Sequence, residues 1–385
     1  AVALDPTPIA LAEPTERAGL QTDLVGSQPT IAVLEFTQDG DGEDLHGLTR
    51  ALPTDIITEL ARFQLLRVIS GSSSFLFDQS NLRPQTLKST LGCDYYLSGR
   101  VSLVGDNYSV FTELVDTSEE AIVWAEQFEI EPRDIHSVRA EIVSRVVSRV
   151  QDKVPQNEAK PIQFYEPESL TAWQAYHVGT SLIYRRGSEN IERAQKYLER
   201  SVTIDPTFSR AWAGLAHTNL IEVVNRPFDA SHDAKRRLMR FAEQAVEASE
   251  DDPSASLWLG RAMKSDGDAA YWIERAIELA PSYALAHQQL GATHVYQNNN
   301  SRALDHASAS LMLNPQGPER YANYTVIALA QLKTGSYHTA IEWSKKAGKA
   351  PYNNLHIHLS ALFTNHWKGD MDEASQIADR IKSAF

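Results

Sequence analysis

Twelve histidines are spread over the 385 residues, and five of them, His287, His294, His356, His358 and His366, raise the question of a metal site. His356 and His358 are two apart, which on a helix turns their rings away from each other. His287 and His294 are seven apart and share a helical face, but no carboxylate or cysteine accompanies them at ligand spacing. The sequence therefore implies no metal and no cofactor. Glu35 closes an apolar run and invites an acid–base reading, yet no motif ties a second carboxylate or a histidine to it. It reads as a solvent-facing strand end. Ser70-Gly71-Ser72-Ser73-Ser74 falls short of a Gly-x-Ser-x-Gly nucleophile elbow and reads as the loop after a strand. Gly99-Arg100 and Gly105-Asp106 precede no helix, so neither cradles a phosphate. The single cysteine, Cys93, excludes an intrachain disulfide and a multi-thiolate centre. No catalytic constellation remains, and the chain is expected not to be an enzyme.

Composition narrows the remaining classes. The net charge is −14, of which about −12 lies before residue 166, and no cluster of Lys and Arg forms a phosphate-binding surface. Direct nucleic-acid binding is not expected. No apolar run approaches the ~18 residues of a membrane span. The Pro-dotted stretch 1–29 has neither helical nor strand periodicity and reads as a linker, from a chain cut or processed out of something longer.

The elements that would position any site fall into two groups. Ile31–Phe36 is a short apolar run bounded by Pro29 and an acidic, Gly-rich loop, as a buried strand would be. Leu48, Leu52, Ile56, Ile57, Leu60 and Phe63 recur at helical steps. Leu65–Ser70 reads as a second strand and Pro84–Leu91 as a short helix. Asp94–Leu103, Asn107–Asp116 and Ala121–Ile130 are rich in Tyr, Val, Phe and Trp and separated by turn residues, which predicts an antiparallel meander. A closing helix is expected over Arg133–Lys153. Residues 30–155 then form an α/β unit, with a linker over 156–168.

The second half carries an internal repeat. Asp205-Pro206, Asp252-Pro253, Ala280-Pro281, Asn314-Pro315 and Ala350-Pro351 recur near the 34-residue period of tetratricopeptide (TPR) repeats. Small residues sit where two helices must cross closely: Gly291 and Ala303 in one unit, Ala328, Gly335 and Ala340 in the next, Gly369 and Ala374 in the last. Residues 169–385 are predicted to form an all-α superhelix of about six hairpins continuing beyond the chain, with an insertion around Asn225–Asp233. Its asset is a concave groove lined by the first helix of every hairpin. Trp173, Tyr176, Tyr184, His217, Arg261, Gln288, Tyr296, Lys333, His356 and His366 are placed on that lining. Each could equally be inter-hairpin packing or solvated surface.

Five segments carry a family resemblance: Ile31-Ala-Val-Leu-Glu-Phe36, Leu52-Pro-Thr-Asp-Ile-Ile-Thr-Glu-Leu60, Leu91-Gly-Cys-Asp-Tyr-Tyr-Leu-Ser-Gly-Arg-Val101, Leu114-Val-Asp116 and Val123-Trp-Ala-Glu126. Together they resemble the TolB amino-terminal-like domain over nearly all of 29–155. Glu35-Phe36 stands where that family usually has Pro-Phe, and Ser118-Glu119 where it has Thr-Gly. The resemblance implies a mixed-sheet domain standing between an output domain and TPR repeats in bacterial signalling proteins. The output would be a class III adenylate or guanylate cyclase or a winged-helix DNA-binding domain, commonly across one membrane helix. On that basis the chain is a sensory or regulatory module binding a protein or peptide, periplasmic rather than cytoplasmic, with a homodimer allowed. The alternative is an envelope assembly adaptor or scaffold.

Overall fold

The computed structural model describes residues 28–349 except 41–42, 63–64, 78, 80–81, 106, 132–134, 186, 226–231, 264–266 and 318. The 1–27 stretch, the Asn225–Asp233 insertion for the most part, and the sixth hairpin with His356, His358 and His366 lie outside the described residues.

β1 (Thr30–Val33) is the buried strand that the apolar run predicts, with Ile31, Ala32 and Val33 fully buried. It pairs in parallel with β3 (Arg67–Val68) on one side and β4 (Tyr95–Val104) on the other. A strand buried on both faces needs no alternation. β4, β5 (Asn107–Asp116) and β6 (Ala121–Ile130) form the predicted meander, giving a mixed sheet in the order β3-β1-β4-β5-β6. A short strand not expected from the sequence, β2 (Thr37–Asp39), adds to β4 in parallel. The run from Gly71 is a one-turn helix, α2 (Gly71–Ser74), rather than a loop.

α1 (Glu43–Arg62) contains Pro53, which has no N–H to give the carbonyl of Thr49 one turn back. The Phe36 N–H takes that carbonyl instead, at 2.9 Å, so the segment that follows β1 plugs into the gap in the helix. The Phe36 ring needs room there. A Cβ on Gly99 would meet it at 2.8 Å, so only glycine fits in β4 opposite it.

Two layers cover the sheet. Ile31, Val33, Tyr95, Leu97, Leu114 and Phe128 face α1 and α4 (Ile135–Ala159), while Ala32, Leu34, Cys93 and Tyr96 face a smaller core over α3 (Pro84–Leu91). α4 runs past Lys153, where the sequence pattern ends. Its last turn is held by the sheet: Tyr95 donates its hydroxyl to Glu158 Oε1 at 2.6 Å, and Asn157 Nδ2 donates to Asp116 Oδ2 at 2.9 Å. Burial raises the Glu158 carboxyl above its ordinary value.

Five antiparallel hairpins follow: α5 (Ala172–Arg185) with α6 (Ser188–Ile204), α7 (Ser209–Asn225) with α8 (His232–Ala248), α9 (Pro253–Ala262) with α10 (Gly267–Leu279), α11 (Ala284–Tyr296) with α12 (Asn300–Leu313), and α13 (Arg320–Lys333) with α14 (Tyr337–Ala347). The small residues do what the pattern requires. A Cβ on Gly260 would stand 2.7 Å from the Ala269 carbonyl oxygen across the third hairpin. The molecule is thus a mixed α/β unit followed by a superhelix of TPR-like hairpins.

Candidate functional site

The concave face is built by the first helix of every hairpin, α5, α7, α9, α11 and α13, and it has two parts. The upper part is occupied by the chain itself. Ser148, Gln151, Asp152 and Pro155 of α4 stand opposite Tyr176, Arg210, Ser254 and Tyr283 across a gap of about 110 Å³. The contact is held by Arg149, a buried side chain whose Nε donates to Glu126 of β6 at 2.7 Å and whose Nη1 donates to Asn314 beyond α12 at 2.6 Å. One arginine therefore ties the sheet, α4 and the fourth hairpin. His177 is buried in the same seam with no partner for either ring nitrogen. Burial, and secondarily Arg210, pushes its pKa down to about 3, so it is neutral at pH 7.

Arg210 shows how a charge is accommodated there. Its Nε donates to Asp252 Oδ2 at 2.7 Å with both side chains almost fully enclosed. Asp252 Oδ1 also accepts the Ser254 and Ala255 N–H groups, capping α9. Asp252-Pro253, legible in the sequence as a repeat boundary, is at once a helix start and a buried ion pair.

The lower part opens into a cavity of about 200 Å³. Tyr184, His217, Arg261, Gln288 and Tyr296, five of the ten residues placed on the groove from sequence, line it together. His217 stacks on Trp258 with centroids 4.1 Å apart, and Tyr184 meets His217 edge-on at 6.5 Å. Tyr296 is largely exposed at the mouth. Arg261 lies at the base. Burial lowers its pKa, it is in no ion pair among the described residues, although Glu319 lies on the same lining, and its Nε has no hydrogen-bond partner. A guanidinium so placed is short of an anion.

The other placed residues do different things. Tyr176 lines the upper gap and packs on Phe208, and Trp173 stacks on Phe208 at 5.6 Å and meets His177 at 4.4 Å. Lys333 Nζ donates to the Val295 carbonyl at 2.6 Å and to Asn298 Oδ1 at 2.9 Å, joining the fifth hairpin to the turn of the fourth. His356 and His366 lie outside the described residues. Sequence reasoning missed Trp258, which stands one turn before Arg261 on the same face of α9 and was findable from that spacing. It also missed the seating of α4, for which no local signal exists.

Elsewhere, Glu35 is half-exposed, 3.9 Å from Arg50, with no acid–base partner placed on it. Cys93 is buried and its thiol is pushed up to about 11, which leaves it unreactive at neutral pH. Among the described residues no three His, Cys, Asp or Glu side chains converge on one point where a metal ion could sit, and no helix is long and apolar enough to cross a membrane.

Residues 27–145 match the family model described as the second domain of a HilA/YgeH-like transcriptional regulator. Over 252 residues the chain is 26% identical to "Putative adenylate cyclase 3" of Rhizobium meliloti (strain 1021), covering 65% of this chain and 43% of that protein. The chain thus spans less than half the length of that relative. Among solved structures, it is similar to PilF of Pseudomonas aeruginosa (18% identity, 56% of this chain and 91% of that one, TM-score 0.39) and to TolB of Acinetobacter baumannii (15% identity, 34% and 29%, TM-score 0.26). At these scores neither likeness says what this chain does.

Proposed function

We propose that the chain is the non-enzymatic regulatory module of a longer bacterial signalling protein, and that the lower cavity binds an extended protein or peptide segment through a carboxylate. The observation that carries this is Arg261: a half-buried cation in no ion pair among the described residues, set in a partly aromatic cavity made by five successive first helices. Aromatic walls give a chain segment apolar contact, and a carboxylate on the guanidinium supplies the missing charge. The upper seam gives the signal a route, since a segment entering beneath Tyr184 touches a side chain that also faces α4.

The relatives support a signalling context. One is a domain of a HilA/YgeH-like transcriptional regulator and the other is named "Putative adenylate cyclase 3". The catalytic or DNA-binding output would then lie in the part of the protein that this chain does not span. The repeats are placed on the periplasmic side of an inner membrane on the strength of the sequence resemblance. An alkaline phosphatase fused after Phe385 is active on that reading, and an inactive, stably expressed fusion rejects it.

The binding reading is tested by selecting peptides on the 385-residue chain from a random displayed library and measuring their affinity by fluorescence anisotropy. Selected peptides should carry a carboxylate whose replacement weakens binding. Arg261→Glu should weaken them at least about tenfold, or ~1.4 kcal/mol, with an unchanged circular dichroism spectrum. Undiminished affinity in a variant carrying Arg261→Glu together with Tyr296→Asp rejects the proposal.

A further inference from the structure

Histidines from both helices of the fourth hairpin meet on its flank, away from the groove. His287 and His294 stand two turns apart on α11, and His306 of α12 fits between them, its ring centroid 5.3 Å from one and 5.6 Å from the other. His287 Nδ1 and His306 Nδ1 are 3.1 Å apart. His287 Nε2 is 3.1 Å from the carbonyl oxygen of Pro281. A carbonyl only accepts, so the proton of a neutral His287 is on Nε2 and its Nδ1 presents a bare lone pair. His306 therefore donates the shared proton from its own Nδ1.

A histidine whose outer N–H rests on a backbone carbonyl while its other nitrogen faces inward is arranged as metal-bound histidines are. With metal–nitrogen bonds of about 2.0–2.1 Å, two nitrogens at this separation subtend roughly 100° at the ion, which suits tetrahedral and tetragonal geometries. We propose that His287 Nδ1 and His306 Nδ1 chelate one divalent transition ion of the zinc, nickel or copper class, with its other positions open to water or to a donor group from a bound molecule. On binding, His306 exchanges its Nδ1 proton for one on Nε2, so no net proton is released. Two imidazoles without a carboxylate select against calcium and magnesium, which need oxygen donors. Both rings are half-buried, so the ion reaches them from solvent. His294 is a wall and not a ligand, since its Nδ1 faces Gln297 Oε1 at 3.2 Å and its ring stacks on the far side of His306. Neither ligand lines the lower cavity, so metal binding stands or falls apart from peptide binding.

The test is a titration of the full chain with zinc by calorimetry and with cobalt by visible absorption. One saturable equivalent is expected. His287→Gln and His306→Gln should each weaken it by at least about tenfold, since even loss of a group that only orients a ligating histidine costs 10- to 100-fold. His294→Gln should leave the affinity within about twofold, there being no bond to the ion to lose. Absence of binding by the wild-type chain overturns the proposal, as does an equivalent that persists in the double variant, or a loss in His294→Gln equal to that in His306→Gln. If a variant melts early, zinc-dependent shifts of the His287 and His306 ring resonances in the wild-type chain decide: shifts at both support the site, and unmoved resonances overturn it.

Discussion

Arg210 and Arg261 stand on the first helices of successive hairpins and look into the same concave face, yet their surroundings differ in kind. Arg210 has Asp252 at 2.7 Å, and that aspartate is fixed by two backbone N–H groups. Arg261 stands in a cavity of mostly aromatic and apolar side chains, with Glu319 on the lining, and its Nε has no hydrogen-bond partner. A buried charge left without its partner is costly, so the paired Arg210 is tied to the fold, whereas the half-buried Arg261 can still take up an anion. The boundary between the two lies where α4 ends its cover of the face.

The sharpest way to break the comparison is to make Arg210 resemble Arg261. Asp252→Ala takes the carboxylate from the guanidinium and removes the α9 cap, and should cost about 3–5 kcal/mol in urea unfolding. A loss below about 1 kcal/mol would mean that Arg210 is served by other partners and that the contrast is empty. Next comes the seam that separates the two environments. Arg149→Leu removes bonds to Glu126 and Asn314 and should cost about 2 kcal/mol, with a larger spread between probes of sheet and helix unfolding. A third experiment reads the seam by pH. His177 has its folded pKa near 3 against 6.5 when free, so the unfolded chain takes up its proton first. Stability is then full above pH ~6.5 and falls with acidification toward pH 3, by up to ~1.4 kcal/mol per pH unit from this residue. His177→Leu should flatten that slope, and an unchanged slope assigns it to other groups. The smallest effect is on Arg261 itself. Arg261→Met should leave stability unchanged or raise it by up to about 1 kcal/mol, because an uncompensated charge is removed, while abolishing carboxylate-dependent binding. A destabilisation of more than about 1 kcal/mol would place Arg261 in the fold after all.

Elements whose cause is local were legible in the sequence. The meander strands are bounded by turn residues and came out within a residue of their predicted ends, and Asp-Pro and Asn-Pro pairs marked helix boundaries. The face of each first helix was legible from the small residues that fix its crossing, which is why five placed residues share a cavity. Causes that act across the chain were not. β2 exists because β4 offers it an edge, and α4 is extended by Tyr95 and Asp116 sixty and forty residues away. His306 meets His287 only because α12 folds back on α11, and their separation of nineteen positions carries no ligand-spacing signal. Lys333 is the converse: its position on the face was readable, but its ammonium turns to the neighbouring hairpin.

The seating of α4 has a consequence for how the molecule can be divided. One face of the helix belongs to the sheet and another to the hairpins, and a single apolar core runs from Ile31 through Val150 and Val154 to Trp173 and on to Leu290. A cut after Ala159 would leave the repeats without the surface that closes their upper face, exposing Tyr176, His177 and the Arg210 region to water. A cut before Ile135 would strip the sheet of its cover. The helix between the two halves is therefore common property, and the sheet and the hairpins as far as Leu290 are expected to depend on each other for stability.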